Sequence, residues 1–209
     1  MTGSSDRSGT GSRLNPSQLV PDDVNRLTET RGSVPNSVCR LTGTSPAVRA
    51  LEQEIEWTGH CDSKVLITGK SGVGKQVVAR LIHECSLRRC VPMLTVNCAG
   101  ITDSLLESEL FGHERGSFTG AFQDRAGVLA AAHRGTLFLD EVCEMTPRMQ
   151  ALLLRFLESG ETQRVGANRP HARVGVRVIA ATNKDVPKCI AAGKFFEEET
   201  MGTARQVPI

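Results

Sequence analysis

The chain has 209 residues, enough for one domain of ordinary size plus a tail. With 23% charged and 39% apolar residues and a net charge of only +2, its composition suits a soluble globular protein and carries no overall basic field that would argue for nucleic acid. No apolar run approaches the roughly 20 residues of a membrane helix, and the opening MTGSSDRSGTGSRLNPSQ lacks the apolar core of a secretory signal, so a cytoplasmic location and no membrane contact are expected.

Residues 1–40 are rich in Ser, Thr, Gly, Pro, Asp and Arg without apolar periodicity, and are expected to be a flexible tail. Order is expected from LTGTSPAVRALEQEIEW onward. Ser45 and Pro46 mark a helix start, and Val48, Leu51 and Ile55 fall on one helical face. KVLITG, ending at Gly69, reads as a buried strand, and KQVVARLIHECS as a helix with Val77, Val78, Leu81 and Ile82 at helical spacing. PMLTVNC is a second strand, and DSLLESELFG a helix with Asp103 as its expected cap. GTLFLDE is a third strand, PRMQALLLRFLESG a helix from Pro147 to Gly160, and VRVIAATN a fourth strand. Strands alternating with helices imply an α/β fold, a parallel sheet covered on both faces. The end of the chain, residues 197–209, has little apolar periodicity and yields no readable role.

Seven cysteines (Cys39, Cys61, Cys85, Cys90, Cys98, Cys143 and Cys189) are scattered without a CxxC pair. A disulfide framework or zinc site needs tighter repeated spacing, so reduced and mostly buried thiols are expected. His113 beside Glu114 is expected to be a loop or helix-end residue, since no second histidine stands at ligand spacing.

GKSGVGKQ, formed by Gly69, Lys70, Ser71, Gly72, Val73, Gly74, Lys75 and Gln76, fits GxxxxGK between a strand and a helix. That is the setting of a P-loop, whose glycines let backbone N–H groups wrap phosphate oxygens at the positive end of the following helix. Lys75 would reach the β- and γ-phosphates. Gln76 stands where Ser or Thr ordinarily ligates magnesium, so that ligand is missing or replaced by water. Asp140 and Glu141 end the apolar strand TLFLDE at the edge where open parallel sheets bind ligands. There Asp140 would hold Mg2+ and Glu141 would orient and deprotonate an attacking water; taken alone, the pair also fits an acidic helix-capping turn. Thr182 and Asn183 end a further strand, either to sense the γ-phosphate or simply to turn the chain.

With GHERGSFTGAF added to these segments, residues 41–196 resemble the central AAA+ domain of the sigma-54-dependent transcription activators, the NtrC-like enhancer-binding proteins. The combination of ELFGHE with a GAFTGA-type loop carries the resemblance. By glycine-broken polarity alone the loop reads as a surface turn. The resemblance implies a P-loop NTPase of three-layer sandwich architecture that assembles into a homo- or hetero-oligomeric ring, usually a hexamer. It further implies ATP hydrolysis between subunits and remodelling of sigma-54 RNA polymerase through the loop Gly116, Ser117, Phe118, Thr119, Gly120 and Ala121. Ser117 stands where Ala is usual; Phe118 and Thr119 would make the contact. The resemblance also assigns Asn97 as a switch partner of Glu141 and Asn183 as a sensor, and makes Gln76 less unusual, because the family commonly has Glu there. It departs at the far end. Phe196 and Gly202 stand where the family has two arginines that reach a neighbour's ATP, and Arg205 is nearby without matching spacing. The helical lid and a C-terminal DNA-binding module are expected to be missing. A truncated nucleotide-binding remnant or modulator, with little ATPase activity of its own, is therefore the alternative function.

Overall fold

The computed structural model describes residues 41–168, 172–195 and 204–209. The expected tail over residues 1–40, together with Phe196 and Gly202, lies outside the described residues. The elements run in the order α1 (Pro46–His60), β1 (Val65–Thr68), α2 (Lys75–Glu84), β2 (Met93–Asn97), α3 (Asp103–Phe111), β3 (Gly112–His113), β4 (Arg125–Ala126), α4 (Val128–Ala131) and β5 (Thr136–Asp140). A 3-10 turn (Val142–Glu144) follows, then α5 (Pro147–Ser159), β6 (Glu161–Thr162), β7 (Ala172–Arg173), β8 (Arg177–Thr182), α6 (Val186–Ala191) and β9 (Arg205–Pro208).

Helix starts and stops follow local chemistry. Ser45 Oγ accepts the Val48 N–H at 3.3 Å, with Pro46 opening α1. Thr146 caps α5 in the same way ahead of Pro147, and Gly160 ends it in the left-handed conformation. Asp103 is not the cap of α3, contrary to expectation. Thr102 holds that position, and the Asp103 carboxylate instead accepts the Thr146 hydroxyl at 2.5 Å. A carboxylate in the first turn still suits the helix dipole, but its stronger partner lies on another element.

Strands β2, β5, β8, β1 and β9 form one parallel sheet in that order. Alternation along the central strands separates two apolar layers. Val65, Ile67, Phe138, Ile179 and Ala181 face Ile55 of α1 and Val78 and Ile82 of α2. Leu66, Leu137, Leu139, Val178 and Ala180 face Leu106 and Leu110 of α3 and Met149, Leu153 and Phe156 of α5. The continuous apolar runs in the sequence are therefore strands buried on both faces. Each fully buried large side chain contributes about 2 kcal/mol relative to exposure.

Two expectations change. Among the described residues the sheet has five strands rather than four, because the unassigned end supplies β9, which pairs in register with β1 from Val65↔Arg205 to Thr68↔Pro208. One fully buried side chain, Val207, anchors it, too little apolar signal to register as periodicity. The thiols are also less buried than expected. Of the six described cysteines only Cys98 and Cys143 are buried, and Cys90 is exposed.

A buried cation absent from the sequence reading ties α1 to the sheet. Arg177, at the start of β8 and 2% exposed, donates to Thr58 O at 2.7 Å and Gly59 O at 3.1 Å. A third, longer bond reaches Ser63 O. Burial lowers its pKa, and the nearby Arg88 adds to this while Asp62 opposes it. Arg177→Ala would leave these carbonyls without their donor. We expect a loss of about 3 kcal/mol in unfolding free energy, read from urea denaturation.

Candidate functional site

Three loops meet at the C-terminal edge of the sheet. The first runs from β1 into α2. Gly72 and Gly74 adopt left-handed φ values of +81° and +97°, and a Cβ on Gly72 would meet nothing within 4 Å. The loop is thus an open cradle of backbone, which fits phosphate oxygens and the positive start of α2. Lys75, only 7% exposed, folds back over this loop and donates to Gly69 O at 3.2 Å and Lys70 O at 3.4 Å.

The second loop follows β5. Asp140 Oδ1 accepts the Glu141 N–H at 3.0 Å. Burial raises the Asp140 carboxyl pKa, with the Glu141 charge adding to it; the Glu141 N–H and Lys75 oppose the shift. Glu141 sits at φ +53°, ψ +47°, a left-handed conformation uncommon for a residue with a side chain. Its carboxylate spans two loops. Oε1 lies 3.4 Å from Lys75 Nζ, and Oε2 accepts the Asn183 backbone N–H at 3.0 Å. Asn183, after β8, thus reaches Glu141 through its main chain. Thr182, fully buried, accepts the Lys184 N–H at 3.1 Å.

Asn97 pairs in register with Asp140 across β2 and β5, which brings it to the same edge. Its Oδ1 accepts the Ala99 N–H at 2.9 Å, so its side chain caps the turn into α3 rather than holding Glu141. Two buried thiols lie against the acidic pair or just beyond it. Burial, reinforced by Asp140 and Glu141, pushes Cys98 up to about 12, and burial pushes Cys143 up to about 11.

The GSFTGA segment occupies the tip of a short antiparallel ribbon, β3 with β4. Gly116 N–H donates to Ala121 O at 2.8 Å and Ala121 N–H to Phe118 O at 3.0 Å, closing the tip on itself. Phe118 meets His113 edge-to-face at a centroid distance of 5.0 Å, while Phe118 and Thr119 keep exposed surface. Such an aromatic pair is worth about 1 kcal/mol. His113 is buried, and its Nδ1 lies 2.7 Å from Ser108 Oγ, so it serves as a structural seat for the phenyl ring. Ser117 lies over Gly166, where a Cβ would come within 2.7 Å of the Ser117 Cβ. The Ser117 hydroxyl is buried without a hydrogen-bond partner. An unpaired buried hydroxyl costs about 1–3 kcal/mol and weakens the docking of the tip.

Sequence spacing gave no sign of the Phe118–His113 contact, the seat at Gly166 or the Asn183 amide on Glu141. The polar ties between α5 and α3 were equally hidden. They are Thr146 to Asp103 and Arg148 to Glu107, the latter at 2.6 Å. Each joins residues more than 40 positions apart, with no shared motif.

A parallel sheet of this order, with a lysine-bearing glycine loop beside its central strand, defines a P-loop NTPase of the AAA+ class. Residues 41–200 match the family model described as the Sigma-54 interaction domain, and the chain belongs to that family. It is 49% identical over 158 residues to the transcriptional regulatory protein ZraR of Salmonella typhimurium, covering 76% of this chain and 36% of the relative. It is 48% identical over 159 residues to the Nif-specific regulatory protein of Azorhizobium caulinodans, covering 76% of this chain and 26% of that protein. The chain therefore spans only about a third of such relatives. Among solved structures, NtrX from Brucella abortus in complex with ADP superposes with a TM-score of 0.72 at 37% identity, over 89% of this chain and 40% of NtrX. The structure described as the P-loop NTPase domain of the sigma-54 transport activator from Escherichia coli shares the fold at 17% identity and a TM-score of 0.52, over 80% of this chain and 96% of that one.

Two outcomes follow from the geometry. Gly166→Ala pushes a methyl group into Ser117 at a left-handed backbone position, so the tip should lift. Limited chymotrypsin digestion should then cut after Phe118 several-fold faster than in the wild type. Asp140 should oppose stability at neutral pH. A carboxyl whose folded pKa is raised contributes fully below its unfolded value, and that contribution is lost as pH rises through the folded value. Asp140→Asn should therefore raise the thermal midpoint at neutral pH, with the gain shrinking below the carboxylate range.

Proposed function

We propose that this chain binds ATP with Mg2+ at the sheet edge, works as an ATPase subunit within an oligomeric ring, and presents Gly116–Ala121 to sigma-54 RNA polymerase. One observation carries the reading: Glu141, held in a left-handed conformation, joins the P-loop lysine to the strand-ending Asn183 amide. A base in such a position can take a proton at its carboxylate from a water attacking the terminal phosphate.

The division of labour follows. Gly69, Lys70, Ser71, Gly72, Val73, Gly74 and Gln76 offer backbone around the phosphates, and Lys75 supplies the point charge. Asp140 would hold Mg2+, whose chemistry there is to neutralise charge on the phosphate oxygens. The residues fit that pair of ligands: the cradle is open backbone, and the carboxylate of Asp140 stands beside it at the strand end. With nucleotide in the cradle, Lys75 would turn part of its charge toward the phosphate oxygens and loosen its pairing with Glu141. The 3-10 turn after Glu141 leads into Thr146, whose hydroxyl holds Asp103, and α3 leads from Asp103 directly to His113. Through that element a shift at Glu141 reaches the seat of Phe118. Asn97, at the entrance to α3, lies on the same route through its bond to Ala99. Phe118 offers the polymerase an apolar anchor and Thr119 a hydroxyl.

A second reading, a nucleotide-binding subunit with little turnover of its own, is favoured by Arg205. This arginine, near the positions where the family has its own two, pairs with Glu54 of the same subunit. Turnover per subunit against protein concentration separates the two: a steep rise supports ring-dependent hydrolysis, and a flat, negligible rate supports the second reading. Glu141→Gln should lower turnover by at least about 100-fold while retaining nucleotide binding, and Lys75→Ala should lose binding itself. Equal binding by the Lys75 variant and the wild type would contradict the assignment of the site.

A further inference from the structure

Strand β9 is a short edge strand with one fully buried side chain, Val207. Such a strand has little to fix its register, and a slip of one residue would turn Val207 out of the core. Its first residue supplies the missing restraint. The Arg205 guanidinium grips the Glu54 carboxylate with two prongs, the second at 2.9 Å, and lies 3.4 Å from the centre of the Trp57 ring. Glu54 and Trp57 both stand on α1, one turn apart. The Arg205 contact lowers the Glu54 pKa, so the pair is ionised through the neutral range.

The other end of β9 touches the phosphate loop. Ile209 N–H donates to Thr68 O at 2.9 Å, the last residue of β1. Ile209 also covers Gly69, the first glycine of the loop: a Cβ there would lie 2.7 Å from Ile209 O and 2.8 Å from its Cγ1. On its other side, the Gly69 N–H donates to Thr182 O at 3.2 Å. Gly69 is thus wedged between the ends of β8 and β9, and Lys75 in turn rests on the Gly69 carbonyl.

We propose that Arg205, gripping Glu54 and Trp57, is a positioning residue for the phosphate loop: it sets the register of β9 and thereby holds Ile209 against Gly69. The role rests on the nucleotide reading above. It makes α1 a lever on the site. Whatever loosens the grip on α1 loosens the wall of the loop, and nucleotide bound at the loop tightens the grip, because such coupling is reciprocal.

Trp57 is the sole tryptophan and stands beside the guanidinium, so its emission reports the grip directly. The test uses the full chain, with ADP binding by calorimetry and Trp57 emission read in parallel. In the wild type, emission should change along the same isotherm as ADP binding. Arg205→Ala and Glu54→Gln should each bind ADP roughly three- to ten-fold more weakly and lose the emission response. Arg205→Lys keeps a cation over the ring without the two-pronged fit and should recover part of both. Unaltered affinity in the Ala and Gln variants would overturn the proposal. So would weaker binding with the Trp57 response intact, or no recovery with Lys. The Glu54 variant keeps β9 itself unchanged and guards against a folding defect at position 205. Failure of the wild type to bind ADP would overturn the nucleotide reading and this coupling with it.

Discussion

The contact between Lys75 and Glu141 is the constraint on which the rest of the site depends. It joins the loop after β1 to the loop after β5, two neighbours of the same strand in the sheet. A half-buried carboxylate beside a nearly buried ammonium is stable only when each keeps its other partners. Lys75 keeps two carbonyls of its own loop, and Glu141 keeps the Asn183 amide. Three loop segments, before α2, after β5 and after β8, are thereby held in one arrangement, and Gly69 of the first also abuts the end of β9. The left-handed conformation of Glu141 is tolerated because it serves these contacts.

The docked tip is connected to that arrangement through α3. Helix α3 is tied at its start to Thr146 and further along to Arg148, both on the segment that follows Glu141. The same helix runs into His113, which seats Phe118. The tip itself is lightly held: the small buried Ala121, one aromatic edge contact and one close approach to Gly166 act against an unpaired hydroxyl on Ser117. A weak latch at the end of a firmly tied helix is the physical condition for a small shift at the site to release a loop.

Much of the fold was legible in the sequence because its signals were local. KVLITG, GTLFLDE and VRVIAATN are runs too apolar for anything but strands buried on both faces, and Ser45-Pro46 and Pro147 mark helix starts by their own capping chemistry. The placement of Asp140 and Glu141 at the sheet edge followed from a strand end, and that of Lys75 from the GxxxxGK spacing after β1. What stayed hidden was pairing between remote elements. Asp103 looked like a cap because the Thr146 hydroxyl that holds it lies 43 residues away. Strand β9 carries one core side chain, and its first residue, Arg205, pairs with Glu54, 151 residues earlier. The pairing of Asn97 with Ala99 rather than Glu141 is equally invisible to spacing, because an Asn after a strand can turn to either partner.

Under the proposed function, the state of the nucleotide at Lys75 and Glu141 governs the docking of the loop tip. Hydrogen–deuterium exchange of Gly116–Ala121, compared between ADP and a non-hydrolysable ATP analogue, tests it most directly. Exchange in this segment should differ between the two nucleotides, and Thr146→Ala, which frees Asp103, should abolish the difference. Identical exchange with both nucleotides bound would contradict it.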